Sequence, residues 1–258
     1  MADFPFTSEV LFAGQYYPAD SLPRAYLPVL LSLQFTEPAL ILVPVGVGVI
    51  TWMVGTRHQL WPQLLIILCW FFTPFIAAIV FRPALYDNFR QLLFIIPPLL
   101  IFAGIALEHL FDILPGRWAQ MGLGLLVLIP GIYSLIHLHP YQYVYFNMLV
   151  GGLEGAFRKY ENDYWATSFK EATEFINSVA PEGSLVVASE PHHIVRNYAN
   201  QALSVELYPS GAQSQLPEAD YAITTTRLDK DTYIYPEERI IYQVQRDGAV
   251  FAIVRQVN

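Results

Sequence analysis

The chain has one cysteine, Cys69, in 258 residues. No intramolecular disulfide can form, and the residue says nothing about redox compartment. Charge is scarce: 14% of residues are charged, against about 25% in soluble domains. No basic run and no basic, aromatic-studded stripe is present, so no nucleic-acid partner is expected. No H-E-x-x-H, C-x-x-C or other ligand spacing occurs, so neither a metal centre nor a cofactor is expected. His192 and His193 follow a predicted strand beside Glu190, but adjacent side chains on a helix diverge by about 100°. Ser189-Glu190-Pro191 is not the G-x-S-x-G of a nucleophile elbow. Gly151-Gly152 and Gly155 lack the strand–helix context of a dinucleotide fingerprint.

What the sequence has in abundance is apolar length. Four stretches, Pro38–Gly55, Trp61–Phe81, Phe89–Leu107 and Trp118–Ile136, are each long enough to cross a bilayer. At 1.5 Å per helical residue, roughly 20 residues cover the ~30 Å hydrocarbon layer. The first stretch has no charged side chain, and the third carries only Arg90 near its start. A water-soluble helix needs a polar face, and none of these has one. The expected fold is an α-helical polytopic membrane region of four spans followed by a small α/β extramembrane domain. The lipid bilayer is the first partner.

The expected organisation is an extramembrane or interfacial arm over 1–36, four transmembrane helices over 37–137, an interfacial connector over 138–162, and an α/β domain over 163–258. Up to residue 137 there are five Lys/Arg and seven Asp/Glu. The rest holds nine and fifteen, so most of the net charge of -8 sits in the C-terminal part. Met1–Asp20 lacks the basic start and apolar run of a secretory signal. It reads like the middle of a loop, either a short arm or a piece of a longer protein. Ser21–Phe35, interrupted by Pro23 and Pro28, is expected at the membrane surface. Thr36 is a plausible N-cap for the first span, with Pro38 tolerated in its first turn. Pro44, Pro74, Pro97, Pro98 and Pro130 fall within spans and read as kinks. Gly46 and Gly48, like Gly122 and Gly124, suit close helix packing.

From Asp163 the pattern changes. Trp165, Phe169, Ala172, Ile176 and Val179 recur at helical spacing, with Lys170, Glu171 and Glu174 between them. Pro181-Glu182-Gly183 ends that helix. Ser184–Ser189, Ala202–Leu207 and Tyr221–Thr225 read as strands, and His192–Ala199 as a helix. Ile240–Arg246 and Ala249–Arg255 flank Asp247-Gly248, a strong hairpin signal. A plain two-residue turn there sets Val244 opposite Phe251 and Tyr242 opposite Ile253.

The most suggestive polar cluster lies between the second and third spans: Arg82, Tyr86, Asp87 and Arg90. Guanidiniums at a membrane surface suit a phosphate headgroup, because Arg presents a planar, permanently charged set of donors. Asp87 has two readings: it holds an arginine or accepts from a sugar hydroxyl, or it caps the third span. The arginines likewise have an anchoring reading, as span-end side chains that snorkel to the interface.

Tyr86-Asp-Asn-Phe-Arg90 followed by LLFIIPPLLIFAGIAL resembles the late spans of GT-C superfamily glycosyltransferases. The resemblance is to the polyprenyl-phosphate-sugar-dependent branch with protein-mannosyltransferase-like and aminoarabinose-transferase-like enzymes. His139-Pro-Tyr-Gln-Tyr-Val-Tyr-Phe-Asn147, Gly151-Gly152 and Tyr160-Glu-Asn-Asp-Tyr-Trp165 resemble the stretch joining the last span to an extracytoplasmic C-terminal domain. Phe12-Ala-Gly-Gln and Leu22-Pro-Arg-Ala-Tyr-Leu-Pro28 resemble a mid-protein loop. The resemblance implies sugar transfer from a polyprenyl-phosphate-linked sugar at a bacterial inner membrane. It makes Arg82 and Arg90, with Tyr86 and Asp87, candidate lipid-phosphate contacts. It supplies no catalytic residue: the family's acidic loop has no counterpart in this chain, and neither Asp3 nor Glu9 stands in that context. The chain then matches a C-terminal portion of such an enzyme. The alternative is a non-catalytic, membrane-anchored binding or assembly protein.

Orientation has two opposed signals. Four spans put Arg24, Arg82, Arg90, Arg158 and Lys159 on one side, against Arg57 and Arg117 on the other. The positive-inside rule makes the first side cytoplasmic; the resemblance makes it extracytoplasmic, and that is the expectation adopted.

Overall fold

A computed structural model describes residues 9–208 and 218–258. The first eight residues of the expected arm lie outside the described residues. The chain divides into two compact units, one ending at Gly152 and the other running Leu153–Asn258.

The first unit opens on a hairpin that sequence reading treated only as a turn-rich arm. Strands β1 (Glu9–Phe12) and β2 (Gln15–Pro18) pair antiparallel. Ala13 (φ 51) and Gly14 (φ 79) form the turn between them. Two positive-φ residues are what a tight, right-twisted hairpin needs. Val10 and Phe12 are buried while Glu9 is exposed, the alternation of a one-sided strand. Helix α1 (Tyr26–Leu33) buries Tyr26, Leu27, Leu30, Leu31 and Leu33.

Four longer helices follow: α2 (Glu37–Gly55), α3 (Trp61–Phe81), α4 (Ile96–Ile113) and α5 (Arg117–His137). With the 3₁₀ segment Arg90–Ile95 leading into α4, all four are long and apolar enough to cross a membrane. Their large apolar side chains point outward: Ile66, Phe81, Leu126 and Ile136 are all at least 66% exposed. That is untenable in water and natural in lipid.

Three details differ from expectation. Pro97 and Pro98 do not kink a span; they lie in the first turn of α4, where no N–H is required. α4 runs on to Ile113, six residues beyond the apolar stretch, and stops at Leu114 with ψ 128. Pro115 follows, and a residue before proline is driven out of the helical region. Thr36 occupies the N-cap position of α2, but its hydroxyl makes no cap bond.

Close packing falls on one glycine. A Cβ on Gly46 would sit 1.8 Å from the Phe102 carbonyl oxygen, so α2 and α4 touch backbone to backbone there. The same test at Gly48 and Gly122 meets nothing within 4 Å among the described residues. The connector is hooked back by Asn147, whose amide donates to Ser32 O (2.7 Å) and Phe35 O (2.8 Å). These carbonyls lie at the end of α1, where the helix leaves acceptors unmatched. Burial and the Glu37 charge push the nearby Tyr145 phenol up to about 12.

The second unit is a mixed sheet with helices. After α6 (Gly152–Ala156) come α7 (Ser168–Val179), β3 (Leu185–Ala188), α8 (His192–Tyr198), β4 (Ser204–Leu207), β5 (Tyr221–Thr225), β6 (Arg239–Arg246) and β7 (Ala249–Gln256). The strand order is β4-β3-β5-β7-β6. β3 is parallel to both β4 and β5, and β7 is antiparallel to β5 and β6. α7 starts later than its apolar spacing suggested. The Asp163 carboxylate accepts from Thr167 N (2.9 Å) and the Ser168 hydroxyl, closing the chain before the helix begins. Trp165 is left 53% exposed. Phe169, Ala172 and Ile176 form the buried stripe, and Val179 falls outside it.

The β6–β7 register also differs from a plain hairpin. Val244 pairs with Ala252 and Tyr242 with Val254, with irregularities between Val244/Gln245 and between Ile240/Tyr242. Phe251 is the extra residue on β7, and its carbonyl accepts from Thr226 N (3.0 Å) in the loop after β5. A bulge re-aims backbone groups in this way. The second irregularity restores the original register at Ile240 and Arg255.

Candidate functional site

The segment from Arg82 to Arg90 is built by backbone conformations that few residues tolerate. α3 ends with Arg82 in the left-handed region (φ 50), its N–H still bonded to Ala78 O. Its guanidinium finds its acceptors outside the segment. Nε and Nη2 donate to Leu22 O (2.9 and 2.7 Å), and Nη2 also to Ser21 O (2.8 Å). Leu85 N donates to Ala19 O (3.2 Å), tying the same two stretches again.

Asp87 (φ 51) and Asn88 (φ 59) are then consecutive left-handed residues. Asp and Asn tolerate that conformation best among non-glycine residues. Both are buried, at 7% and 5% exposure. The Tyr26 hydroxyl donates to Asn88 O (3.0 Å), and Gln91 Nε2 donates to Tyr86 O (3.1 Å).

This double turn brings three of the four candidate residues together. Arg90 Nη1 lies 3.2 Å from Asp87 Oδ2. The Arg90 guanidinium carbon stands 4.7 Å from the centre of the Tyr86 ring. The Arg90 side chain keeps 30% exposure, while Asp87 keeps 10%. Asp87 thus pairs with Arg90. The N-cap residue of the 3₁₀ segment is Phe89, which has no side-chain cap bond. A cation gripped by a carboxylate edge and a π-face is oriented before any ligand arrives.

Sequence reading missed Tyr26, Gln91 and the carbonyls of Ser21 and Leu22. The first two are ordinary polar tips on apolar segments, and main-chain acceptors leave no residue-type signal. The histidines stay scattered. His139 Nδ1 is 2.9 Å from Gln142 Nε2, and the His137 ring stacks on Tyr133. Among the described residues no group of three or more His, Cys, Asp or Glu could hold a metal ion.

A second polar cluster, also missed, lies in the α/β unit. Buried Glu161 pairs with Arg227 at 3.0 Å, and Arg227 also donates to Tyr164 O (3.2 Å). Arg158 grips Asp229 and Asp231. Lys230 Nζ donates to Glu190 O (3.4 Å), and Glu190 faces His192 Nδ1 at 3.5 Å.

No family model, curated protein or solved structure matches this chain. Among the described residues, four helices are long and apolar enough to cross a membrane, and an α/β unit follows them.

Proposed function

We propose that this chain serves as the late membrane segment and C-terminal domain of a GT-C-like glycosyltransferase, in which Arg90 contacts the phosphate of a polyprenyl-phosphate-linked sugar. The observation that carries the reading is the pre-oriented, 30%-exposed Arg90 at the head of a membrane helix, between Asp87 and the Tyr86 ring. The sequence resemblance supplies the reaction class. An acceptor hydroxyl or amine attacks the anomeric carbon. The bond from that carbon to the phosphate oxygen breaks, and the phosphate leaves with the electron pair. A base removes the acceptor's proton; in the family that the sequence resembles, an acidic loop supplies it. Arg90 stabilises charge that grows on the leaving phosphate. Arg82 holds the segment in place through the Ser21 and Leu22 carbonyls. In this reading the arginine segment and the C-terminal domain face away from the cytoplasm of a bacterial inner membrane.

The test is carrier binding by the full chain in lipid nanodiscs, on samples matched for folded amount. Loss of one charged hydrogen bond, about 1.5–3 kcal/mol, should weaken binding of polyprenyl phosphate roughly 10- to 150-fold in Arg90→Ala. Arg90→Lys should recover only part, since an ammonium lacks the planar fork. Arg57→Ala, whose guanidinium packs on Trp61, should bind like wild type. Unchanged affinity in Arg90→Ala eliminates the phosphate contact, leaving the anchored binding protein as the better reading. For the side, cysteine placed at exposed Glu182 with Cys69 replaced should react with an impermeant maleimide in intact cells. Labelling only after lysis reverses the orientation.

A further inference from the structure

In the α/β unit, β3 has a parallel neighbour on each side, and both follow it in the chain. The chain leaving β3 goes to α8 and β4 on one side, while β5 lies on the other. The carboxyl ends of β3 and β5 are thus the point where strand order reverses. In open sheets of this kind, ligands bind outside those ends. The sequence places Ser189-Glu190 after β3 and Thr226–Lys230 after β5.

The two loops are joined there. The Ser189 hydroxyl accepts from Thr225 N (3.1 Å), and Lys230 reaches across to Glu190 O (3.4 Å). The loop after β5 runs through left-handed Leu228 (φ 57) and Asp229 (φ 51). Leucine in that region is costly, and such strain persists only where surroundings impose it. Those surroundings are Arg158 on Asp229 and Asp231, Glu161 on Arg227, and Arg255 on Asp231 O (3.0 Å). They fix both sides of Lys230 in the loop that follows β5.

The charges near Lys230 are mostly matched elsewhere. Arg227 has Glu161, and Asp229 and Asp231 have Arg158; the Glu190 carboxylate lies 3.5 Å from His192 Nδ1 and also attracts Lys230. The hydrogen bond that Lys230 makes is a long one to a neutral carbonyl, and among the described residues no carboxylate forms an ion pair with it. Burial foremost, then Arg227, pulls its amine below the ordinary lysine value, against a smaller opposing pull from Glu190. A partly buried ammonium whose attraction to Glu190 is outweighed by burial and by Arg227 carries an electrostatic deficit that an added anion corrects.

We propose that the carboxyl ends of β3 and β5 form a binding site for a small anion, a carboxylate or phosphate group, with Lys230 as its contacting residue. The site belongs to the α/β unit and stands whether or not Arg90 binds a carrier.

The sequence has three lysines, Lys159, Lys170 and Lys230. Competitive acylation of the full chain in nanodiscs, read by mass spectrometry, therefore reports each amine separately. Inorganic phosphate and succinate are the two probes, and whichever protects identifies the anion class. At about ten times its dissociation constant, the bound anion should slow acylation of Lys230 about tenfold while leaving exposed Lys159 and Lys170 unchanged. By calorimetry, Lys230→Gln should weaken binding of the protecting anion roughly 10- to 150-fold, and Lys230→Arg should retain most of it. No protection by either anion overturns the site. So does equal slowing of all three lysines, which is ionic screening. If Lys230→Gln fails to fold, the protection pattern on the wild-type chain decides alone.

Discussion

Two loops in this molecule solve one problem in opposite ways. Both place a cation using two consecutive left-handed residues beside a 3₁₀ segment: Asp87-Asn88 before Arg90–Ile95, and Leu228-Asp229 within Arg227–Thr232. In the first, the strained positions carry residues that tolerate them, and Arg90 is held by Asp87 three residues away. In the second, a leucine occupies a strained position. The clamps come from Arg158 and Glu161, about 70 positions earlier in the chain. The first loop carries its tolerant residues and its ion pair within a few positions, with distant ties to the Ala19–Tyr26 stretch; the second takes its charged clamps from the far end of the α/β unit's sequence.

That contrast is easiest to break at Glu161. Its carboxylate is buried against Arg227, and removing one member of a buried pair costs about 3–5 kcal/mol. Glu161→Ala should lower urea or thermal stability of the α/β unit by that order. If its unfolding midpoint does not move, the clamp is ornamental.

Arg82→Ala comes next. It deletes the three charged hydrogen bonds to Ser21 and Leu22 carbonyls, each worth about 1.5–3 kcal/mol when well formed. Partial exposure puts the expected total near the value of one of them. Hydrogen exchange should rise in β1–β2 and the Ala19–Leu22 stretch, while carrier affinity stays within twofold once folded amounts are matched. A selective loss of affinity would move Arg82 from positioning to contact.

The smallest effects separate the two loops by sign. Leu228→Gly relieves a left-handed leucine, a strain of roughly 1–2 kcal/mol, offset by lost packing. It should be neutral to stabilising by about 1 kcal/mol. Asn88→Gly should change stability by only a few tenths, because asparagine already accepts that conformation. Equal gains at both positions would erase the distinction between them.

Much of this was legible from residues alone. Hydrocarbon thickness sets span length, so four apolar stretches gave four helices with little ambiguity. The two-residue turn at Asp247-Gly248 placed β6 and β7. The candidate cluster was half legible. Arg90, Asp87 and Tyr86 are close in sequence, and the structure brings them together. Arg82 was not separable from them, since its partners lie 60 positions away and are main-chain oxygens. The β6–β7 bulge was hidden because the bond that goes with it, from Thr226 N to the Phe251 carbonyl, joins the loop after β5 to β7 across 25 positions of sequence. Lys230 had no motif at all; only the strand order gives its position meaning.

α5 draws a different kind of consequence. No residue of this 21-residue helix is buried. Its backbone groups are satisfied within the helix, which suffices inside hydrocarbon. Gln120 to Phe111 O (2.9 Å) is a tie at its first turns. Length and apolarity specify most of such a segment, so exchanges among Leu, Ile, Val and Met at its exposed apolar positions should leave the neighbouring helices undisturbed, provided Gln120 is kept for its bond to Phe111 O and Gly131 for its approach to Thr36. The opposite holds at Gly46, where one added methyl group has nowhere to go.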